Sequence, residues 1–422
     1  MPKFKFIHTA DLHLDSPFKG LSNIPNHLHK QIRQSTFLAY DQIVEYCIEY
    51  GVDFLLISGD VFDLDDRSLK AQVYLLRGLE KLASHGIHAY IIHGNHDALD
   101  QNKAGFQWPE TVHFFSSEKV EKISHIKENK LIANIFGRSY PTRAFKENIV
   151  SAFRVGKNNG EFNIGLLHTN IDGNPDHDPY SPCSLQELLN TDIDYWALGH
   201  IHKNEVLSKN SPAIIYSGNP QGRHLKETGI KGCYLTEVSE NKIESVRFLP
   251  TSQIIWEELK VDVSELTTVQ EVLNLIQDKL EKMSEERSLP IIVRLSLFGS
   301  TRVHKEISEK IRILELQEIL NETYLSKKNW IWVESIKLNT KPFVSLESIL
   351  EQDTFLADFL RQLNSFRQEV DNKLIFEKFG EELLNHRGLK KYLTELSKDD
   401  VEDIFDQVTN LTLNFFFEEE HS

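Results

Sequence analysis

The feature of this sequence that most constrains its fold is a set of strand-like runs, each ending in a short cluster of metal-binding residue types. In chain order, the clusters are Asp11-Leu-His13, Asp60 with Asp63, Gly94-Asn95-His96-Asp97, His168, and His200 with His202. Each follows an apolar run such as DFLLIS or IGLL. In open α/β sheets, ligands gather just beyond the carboxyl ends of the strands. The pattern therefore predicts one site assembled from five separated segments.

Residues 1–250 alternate strand-like and helix-like segments, which predicts an α/β fold: a β-sandwich flanked by helices. Helical patterns lie at about 27–50, 69–84 and 184–190. The strand-like runs are KFKFIHT, DFLLISG, HAYIIHG, LIANIFG, FNIGLLHT, DYWALGH, AIIYSG and GCYLTEV. Because these runs are almost continuously apolar, we expect much of the sheet to be buried on both faces.

The pattern changes after Pro250, where histidine becomes rare. Residues 251–342 are predicted to form a small α/β domain, and residues 343–422 a helical C-terminal region. In the latter, Phe355, Phe359, Leu363 and Phe366 recur at helical spacing. We expect this stripe to pack within the chain, with a binding face as the alternative. The elements predicted between 251 and 342 are helices at 268–283 and 304–320 and strands at 290–298 and 329–338.

Charge and cysteine content narrow the class of protein. The net charge is −16, and residues 341–422 hold 9 Lys and Arg against 18 Asp and Glu. Because the acidity is concentrated there, it does not exclude DNA as a partner of the first domain. Three cysteines without a CxxC motif exclude a disulfide framework and a thiolate zinc cluster. With no signal-peptide core and no membrane-length apolar run, the chain is predicted to be cytoplasmic.

The residue types in the clusters indicate two divalent cations. Carboxylate, imidazole and amide oxygen ligands without thiolate suit Mn²⁺, Fe²⁺ or Zn²⁺. One residue between two ligands, as in DxH and HxH, lets both side chains project to one face of an extended segment. A carboxylate can bridge two metals about 3.5–4 Å apart, a spacing suited to displacement at phosphorus. We expect Asp60 to be that bridge. Any one cluster could be structural, but five in this order predict a metal site.

These ordered motifs resemble the calcineurin-like metallophosphoesterase superfamily over essentially all of the first 250 residues. HTADLHLDSPF, IIHGNHD, ALGHIHK and YSGNPQGRHLKETGIKGCYL are similar to SbcD-type DNA repair exonucleases within it. The resemblance implies a Mn²⁺-dependent two-metal exonuclease that hydrolyses DNA phosphodiester bonds, 3′ to 5′, in DNA repair. By position in the chain, residues 251–342 would then be a DNA-capping domain.

The resemblance also implies roles for individual residues. The first metal would be held by Asp11, His13, Asp60 and His202, and the second by Asp60, Asn95, His168 and His200. His96 would protonate or stabilise the leaving 3′ oxygen. Asp63 would orient a ligand by a hydrogen bond, and Asp97 would steady His96 in the same way.

Other polar residues near the motifs are candidates for contacting substrate. Arg223 and Lys226 could bind substrate phosphate, with a solvated loop as the alternative. His177 and His224 could face either phosphate or solvent. Asp65 and Asp66 fit no ligand position and are expected in a solvated loop.

Two protein partners follow from the resemblance. The C-terminal helices would bind an SbcC-type ATPase, since the sequence contains no GxxxxGK[ST] motif of its own. A pull-down with the full chain and with a chain lacking 343–422 tests this. A homodimer could form through the helix at 27–50, although that helix reads equally well as a cover for the sheet. No membrane partner is expected.

Two other functions remain open from the sequence. The same metal motifs would serve a metallophosphoesterase acting on nucleotides, cyclic nucleotides or phosphoproteins. Two features favour the nuclease. The residues that flank the motifs are similar to those of DNA repair exonucleases, and about 170 further residues follow the first domain. An inactive scaffold is disfavoured because every expected ligand type is present.

Overall fold

The structure, a computed structural model, describes part of the chain. The described residues are 3–18, 21, 24–63, 68–98, 106–155, 160–172, 181–209, 211–343, 349–351, 353–369, 404–409 and 411–412. The chain divides into two compact units. The first comprises Met1–Val261, Leu273–Leu297 and Lys310–Leu338, and the second Asp262–Val272, Phe298–Glu309 and Asn339–Ser422. The domain boundaries predicted near residues 250 and 342 stay predictions.

Two six-stranded sheets lie at the centre of the first unit. Their strands are β1 (Phe4–Thr9), β2 (Phe54–Ser58), β3 (His88–Ile92), β4 (Val112–Phe114), β5 (Glu121–Lys127), β6 (Lys130–Gly137), β7 (Asn163–His168), β8 (Tyr195–Gly199), β9 (Glu205–Ser208), β10 (Ala213–Tyr216), β11 (Gly232–Ser239) and β12 (Lys242–Pro250). The first sheet has the order β12-β11-β1-β2-β3-β4, and the second has the order β5-β6-β7-β8-β10-β9. Parallel pairing of β1 to β4, and of β6, β7, β8 and β10, puts the carboxyl ends of the motif-bearing strands at one edge of each sheet.

The helices agree with the predicted positions to within a few residues. They are α1 (Asn26–Glu49), α2 (Leu69–Ser84), α3 (Leu185–Leu189), α4 (Val269–Arg287), α5 (His304–Ser308), α6 (Lys310–Tyr324) and α7 (Phe355–Glu369). The single helix predicted over 304–320 is two helices, because Glu309 between them has an extended backbone with ψ 123°. None of the helices in the described ranges combines the length and apolar character needed to cross a bilayer.

Alternating side chains bury both faces of the central strands. On β2, Phe54 and Leu56 belong to the core between the two sheets, whereas Leu55 and Ile57 belong to a second core on the outer face. Since successive side chains on a strand point to opposite faces, an almost continuous apolar run is what such a strand requires. The predicted α/β fold class, with sheets flanked by helices, is confirmed.

The first helix covers the outer face of the first sheet. Tyr40, Ile43 and Cys47 of α1 are buried in the same core as Leu55 and Ile57. The reading of this helix as a cover for the sheet is therefore confirmed. The homodimer through it stays a prediction.

A third sheet follows later in the chain. Its strands, β13 (Ile255–Asp262), β14 (Ile291–Thr301) and β15 (Ile331–Pro342), pair in that order. Within the first unit, Trp256, Trp330 and Trp332 pack with Leu28 of α1 in one apolar cluster. The indole Nε1 of Trp330 also donates to Gln31 Oε1 at 2.9 Å. Part of the segment predicted as a small domain is thus packed against the start of α1.

In the second unit, α7 exposes much of its phenylalanine stripe. Phe355, Phe359 and Phe366 are 72%, 38% and 47% exposed, whereas Leu356 and Leu360 are buried. Phe366 nevertheless contacts Phe405 of the same chain, with ring centroids 6.3 Å apart, and Leu363 packs beside Leu356 and Leu360. The expectation that this stripe packs within the chain holds for these two side chains and stays a prediction for Phe355 and Phe359. The helix predicted for the rest of the C-terminal region falls largely on 370–403 and 413–422, outside the described residues.

Buried His125 makes the first unit sensitive to acid. Its ring on β5 lies 5.0 Å from the ring of Phe54 and 4.8 Å from that of His88, and Nδ1 is 2.8 Å from the Tyr90 hydroxyl. Burial lowers the pKa of His125 to about 4. The unfolded chain binds this proton near pH 6.5, so the unfolded state holds more protons between those values. The stability from neutral His125 is present above about pH 6.5 and is lost as pH falls towards 4.

We expect His125→Gln, which can still bond the Tyr90 hydroxyl, to change this pH dependence. The free energy of unfolding of the wild type should fall by about 2 kcal/mol more than that of the variant between pH 7 and pH 4.5. Urea unfolding at several pH values measures the difference. His85→Gln, which removes an exposed histidine, should behave like the wild type. Parallel curves for wild type and His125→Gln would contradict the prediction.

Candidate metal centre

The site begins where β1 and β2 lead into two loops that run side by side. The amide of Asp11 donates to the carbonyl of Gly59 at 3.0 Å, and that of His13 donates to the carbonyl of Asp60 at 3.1 Å. These bonds continue the parallel pairing of the two strands beyond the sheet. The side chains of Asp11, His13 and Asp60 are therefore held at the same edge, and each is almost fully buried.

Four of the predicted ligands have a left-handed backbone. The φ angles are 52° at Asp11, 42° at His13, 51° at Asp60 and 97° at His200. Such conformations cost about 1–3 kcal/mol in residues other than glycine and concentrate at functional sites, where the surrounding structure enforces them. Here the surrounding loops bend the chain so that the side chains point into one space.

Asp11, His13 and His202 form the first group of ligands. One potential ligand atom from each lies within 4.8 Å of the other two. His13 Nε2 is 3.2 Å from His202 Nε2, and His202 Nε2 is 3.9 Å from Asp11 Oδ1. Because the His202 side chain is 21% exposed, this group opens to solvent on the His202 side.

Asp11, Asp60 and His168 form the second group, again within 4.8 Å. His168 Nε2 lies 3.3 Å from Asp60 Oδ2 and 3.0 Å from Asn95 Oδ1. The ring of His200 lies 5.2 Å from that of His168, and its backbone amide donates to both oxygens of Asp11, at 3.1 and 3.2 Å. The structure thus brings together all the residues predicted for the second metal.

Asp60 lies between the two groups. Its Oδ2 is 3.3 Å from His168 Nε2 and 3.9 Å from His13 Nε2. One carboxylate oxygen therefore reaches both groups, as a bridging ligand must. The assignment of ligands to each metal stays a prediction.

Two glycines allow the strand ends to come this close. A Cβ on Gly94 would lie 2.3 Å from Asp60 Oδ1, and one on Gly199 would lie 2.0 Å from the carbonyl oxygen of Ser58. Both distances are shorter than real Cβ contacts. Glycine at these positions lets the third and fifth motifs approach the second.

The hydrogen bonds of the histidines show that the site fits cations. Nδ1 of His13 faces Asp63 at 2.9 Å, Nδ1 of His202 faces Glu227 at 2.6 Å, and Nδ1 of His168 faces the Ser58 carbonyl at 2.9 Å. Each Nδ1 therefore carries the proton, and each Nε2 presents a lone pair. These lone pairs face one another, or oxygen atoms, at 3.0–3.3 Å. Only a cation or a proton between them relieves that repulsion, and the oxygen and imidazole donors suit divalent metals.

The pKa values of Asp11, Asp60 and His168 also show that these side chains need a cation or a proton between them. Burial raises the pKa of Asp11 to about 6. Burial acts in the same direction on Asp60, but the charge and hydrogen bond of His168 hold the pKa of Asp60 well below its ordinary value. Although burial alone lowers the pKa of His168, Asp60 raises it to about 9. Without a cation, a proton on His168 balances the carboxylates, and metal binding would release it.

His96 lies at the solvent edge of the site, with 35% of its side chain exposed. Its Nδ1 is 2.8 Å from Asp63 Oδ1, the same oxygen that faces His13 Nδ1. Its backbone amide donates to Asp60 Oδ1 at 2.8 Å. Burial alone lowers the pKa of His96, but the bond to Asp63 and the charge of Asp60 outweigh it and raise that pKa. One oxygen of Asp63 thus contacts both the predicted ligand His13 and His96.

The contact predicted between Asp97 and His96 is made by Asp63 instead. Asp97 is buried below the loop, where Oδ2 accepts the amide of Val61 at 2.8 Å and Oδ1 accepts that of Gly94 at 2.7 Å. It ties the loop after β3 to the loop after β2. It also lies 3.4 Å, through Oδ2, from Nδ1 of His93. Asp97 therefore holds backbone and faces the ring of His93, not that of His96.

The two candidates for substrate phosphate differ in their surroundings. Arg223 is 12% exposed, and its Nη1 lies 3.1 Å from Asp63 Oδ2 and 3.2 Å from Ser16 Oγ. Lys226 is exposed. His224 is 34% exposed, with Nε2 3.1 Å from a carboxylate oxygen of Glu227. Asp65, Asp66 and His177 lie outside the described residues.

Glu227 is a site residue that sequence reasoning missed. It is 3% exposed, and besides His202 it accepts the side-chain amide of Asn219 at 2.9 Å and the backbone amide of Arg223 at 2.6 Å. Metal-ligating histidines almost always donate their second ring nitrogen to a partner. That rule predicts that His202 has a partner but does not locate it, because the partner lies 25 residues away in the chain.

Two family models match the chain. The model described as calcineurin-like phosphoesterase matches residues 4–204. The model described as metallophosphoesterase YhaO, middle domain, matches residues 256–341. The first of these ranges contains all five motifs of the metal centre.

Three relatives extend the likeness over most of the chain. The uncharacterized metallophosphoesterase YhaO of Bacillus subtilis (strain 168) is 37% identical over 402 residues, covering 95% of each chain. The DNA double-strand break repair protein Mre11 of Sulfurisphaera tokodaii is 24% identical, covering 76% of this chain and 79% of the relative. The protein of that name from Methanococcus maripaludis is also 24% identical, covering 86% and 98%.

This chain therefore belongs to the calcineurin-like metallophosphoesterases, as its motifs predict. It is a metal-dependent hydrolase. Calcineurin-like phosphoesterases use divalent metal ions, typically two, and the donor set described above fits that number.

Proposed function

We propose that this hydrolase is a Mn²⁺-dependent exonuclease that shortens DNA from its 3′ ends in DNA repair. The observation that carries the proposal is the extent of the likeness to the two archaeal relatives named DNA double-strand break repair protein Mre11. It covers 76% and 86% of this chain, well beyond the phosphoesterase segment at 4–204. A likeness confined to the metal chemistry would support any phosphoesterase. One that also extends over the later segments supports a shared substrate class.

The metal centre supports hydrolysis at phosphorus. Two divalent cations, when bound, would polarise phosphoryl oxygens and lower the pKa of a water molecule. The residues that would hold them are Asp11, His13, Asp60, Asn95, His168, His200 and His202. Because most of these side chains are buried and fixed by hydrogen bonds, the geometry is set before a substrate arrives.

His96 would take part in the bond-breaking step. In the proposed reaction a water molecule loses a proton to solvent and its oxygen bonds to phosphorus. The bond from phosphorus to the 3′ oxygen breaks, and a nucleoside 5′-monophosphate is released. The leaving 3′ oxygen needs a proton, and Nε2 of His96 would donate it. Asp63 on Nδ1 holds the imidazole in that orientation.

The open edge of the site suits a polyanion. His96 and His202 are partly exposed there, and the exposed Lys203 and Lys226 lie on the adjoining loops. Lysines here would neutralise backbone phosphates in spite of the net charge of −16 on the whole chain. Binding should therefore weaken as salt concentration rises.

Incubation of 5′-labelled linear DNA with the full chain and Mn²⁺ tests the proposal. We expect a ladder of products that shorten stepwise from the 3′ end, and none when a chelator is present. Parallel reactions should contain bis-p-nitrophenyl phosphate, cyclic nucleotides and a phosphoprotein. If DNA stays intact while one of those natural substrates is hydrolysed, the alternative phosphoesterase function replaces this one.

A further inference from the structure

Two ligand histidines are each held by a carboxylate on the ring nitrogen that faces away from the metal centre. Asp63 holds His13, and Glu227 holds His202. These rings belong to the same ligand group, and their Nε2 atoms face each other at 3.2 Å. The second group has no such carboxylate on His168, whose Nδ1 faces the backbone carbonyl of Ser58.

One guanidinium joins the two carboxylates. Arg223 Nη1 lies 3.1 Å from Asp63 Oδ2, and Nη2 lies 3.5 Å from Glu227 Oε1. The arginine is 12% exposed and Glu227 is 3% exposed, so this contact is largely removed from water. Two carboxylates this close would repel each other without a shared cation, and the planar fork of arginine can reach both.

The geometry points to Arg223 and Glu227 as positioning residues for one metal of the pair. We propose that Asp63, Arg223 and Glu227 form a clamp, and that this clamp fixes the rings of His13 and His202 so that both Nε2 atoms meet one cation. Arg223 then acts through the carboxylates and does not contact substrate phosphate. The inference rests on the metal centre of the proposed function but not on DNA as the substrate.

The clamp predicts a loss of affinity at one metal site only. Arg223→Met and Glu227→Gln should each raise the dissociation constant of one cation by about 10- to 100-fold, the usual effect of removing a partner of a ligand histidine. The other cation should bind as in the wild type, because Asn95 and His168 lie outside the clamp. Arg223→Lys should give an intermediate value, since an ammonium cannot bond both carboxylates in the fork geometry.

Titration of metal-free full-length chain with Co²⁺, followed by its visible spectrum and by metal analysis, measures both sites without any substrate. Lys226→Met is the matched control, because it removes an exposed positive charge from the same loop and should leave both affinities unchanged. The double variant Arg223→Met with Glu227→Gln should lose little more metal affinity than the worse single variant, since both changes open the same clamp.

Far-ultraviolet circular dichroism of each metal-free variant checks folding. If Arg223→Met does not fold, Glu227→Gln carries the same test.

Two results would overturn the clamp. One is that Arg223→Met and Glu227→Gln both bind the two cations with wild-type affinity. If Arg223→Met then has a raised KM for DNA, Arg223 binds substrate phosphate instead. The other is an equal loss at both sites, which indicates general disorder. If the wild-type chain binds two cations but leaves DNA intact, the proposed nuclease activity is refuted. The clamp is still tested in that case, because the titration contains no DNA.

Discussion

Asp60→Asn is expected to lose tight binding of both metal ions and, with them, hydrolysis. Asp60 Oδ2 lies close to a histidine of each ligand group, 3.3 Å from His168 Nε2 and 3.9 Å from His13 Nε2. A neutral amide removes the charge and the bridging oxygen, so both dissociation constants should rise by more than the ~100-fold that a lost outer partner causes. Since bound metals contribute several kcal/mol at the transition state, turnover of bis-p-nitrophenyl phosphate should fall about 1,000-fold or more.

Asparagine is a sharper replacement than alanine at this position. Asp60 has φ 51°, a left-handed conformation that asparagine tolerates and alanine does not. Asp172→Asn is the matched control, because Asp172 is an exposed aspartate with φ 54° that belongs to neither ligand group. Metal analysis after dialysis against Mn²⁺ and calorimetric titration give the readouts. Retention of two ions per chain in Asp60→Asn would remove Asp60 from the bridging role.

The inner strands of both sheets could be predicted from the sequence, and the edge strands could not. Each of the eight apolar runs corresponds to an inner strand, whereas β4, β5, β9 and β12 lie at sheet edges. An inner strand buries both faces and so reads as a continuous apolar run. An edge strand such as β12, KIESVRFLP, is largely exposed and carries charged residues, which also protect the edge from pairing. Its sequence therefore resembles a loop.

The metal ligands could also be predicted from the sequence, because their pattern is local. Pairs such as Asp11 and His13 lie within three residues of each other, so one loop presents both and the pattern is visible locally. Partners of the ligands are set by tertiary contacts: Glu227 lies 25 residues from His202, and Arg223 lies 160 residues from Asp63. No local pattern distinguishes a buried glutamate from a solvated one. Proximity in sequence also favoured Asp97 over Asp63 as the partner of His96, and the fold reversed that choice.

The exposed phenylalanines of α7 show where helical periodicity stops being informative. Phe355 and Phe359 recur on one face, but the buried residues are their neighbours Leu356 and Leu360. Periodicity detects an amphipathic helix. It does not say whether the same chain or another molecule covers a given stripe.

His96 differs from the ligands because it can be removed without disturbing them. Its backbone amide donates to Asp60 Oδ1, and its side chain contacts Asp63. Its ring lies 5.1 Å from that of His13, a contact that a leucine side chain of similar bulk can replace. Asp63 keeps its other contacts, with His13 and Arg223, when the imidazole is absent. A change at this side chain therefore tests proton transfer separately from metal binding.

His96→Leu should bind two metal ions and DNA as the wild type does, yet hydrolyse DNA about 100- to 10,000-fold more slowly, the range expected for loss of a general acid. The defect should appear in kcat and shrink on substrates whose leaving group needs no proton, such as bis-p-nitrophenyl phosphate. His113→Leu is the control, because His113 is also half-exposed and lies near a carboxylate, Glu121, on a strand outside the site. An equal loss on both substrates would point to a positioning role for His96, and unchanged turnover would exclude it from the reaction.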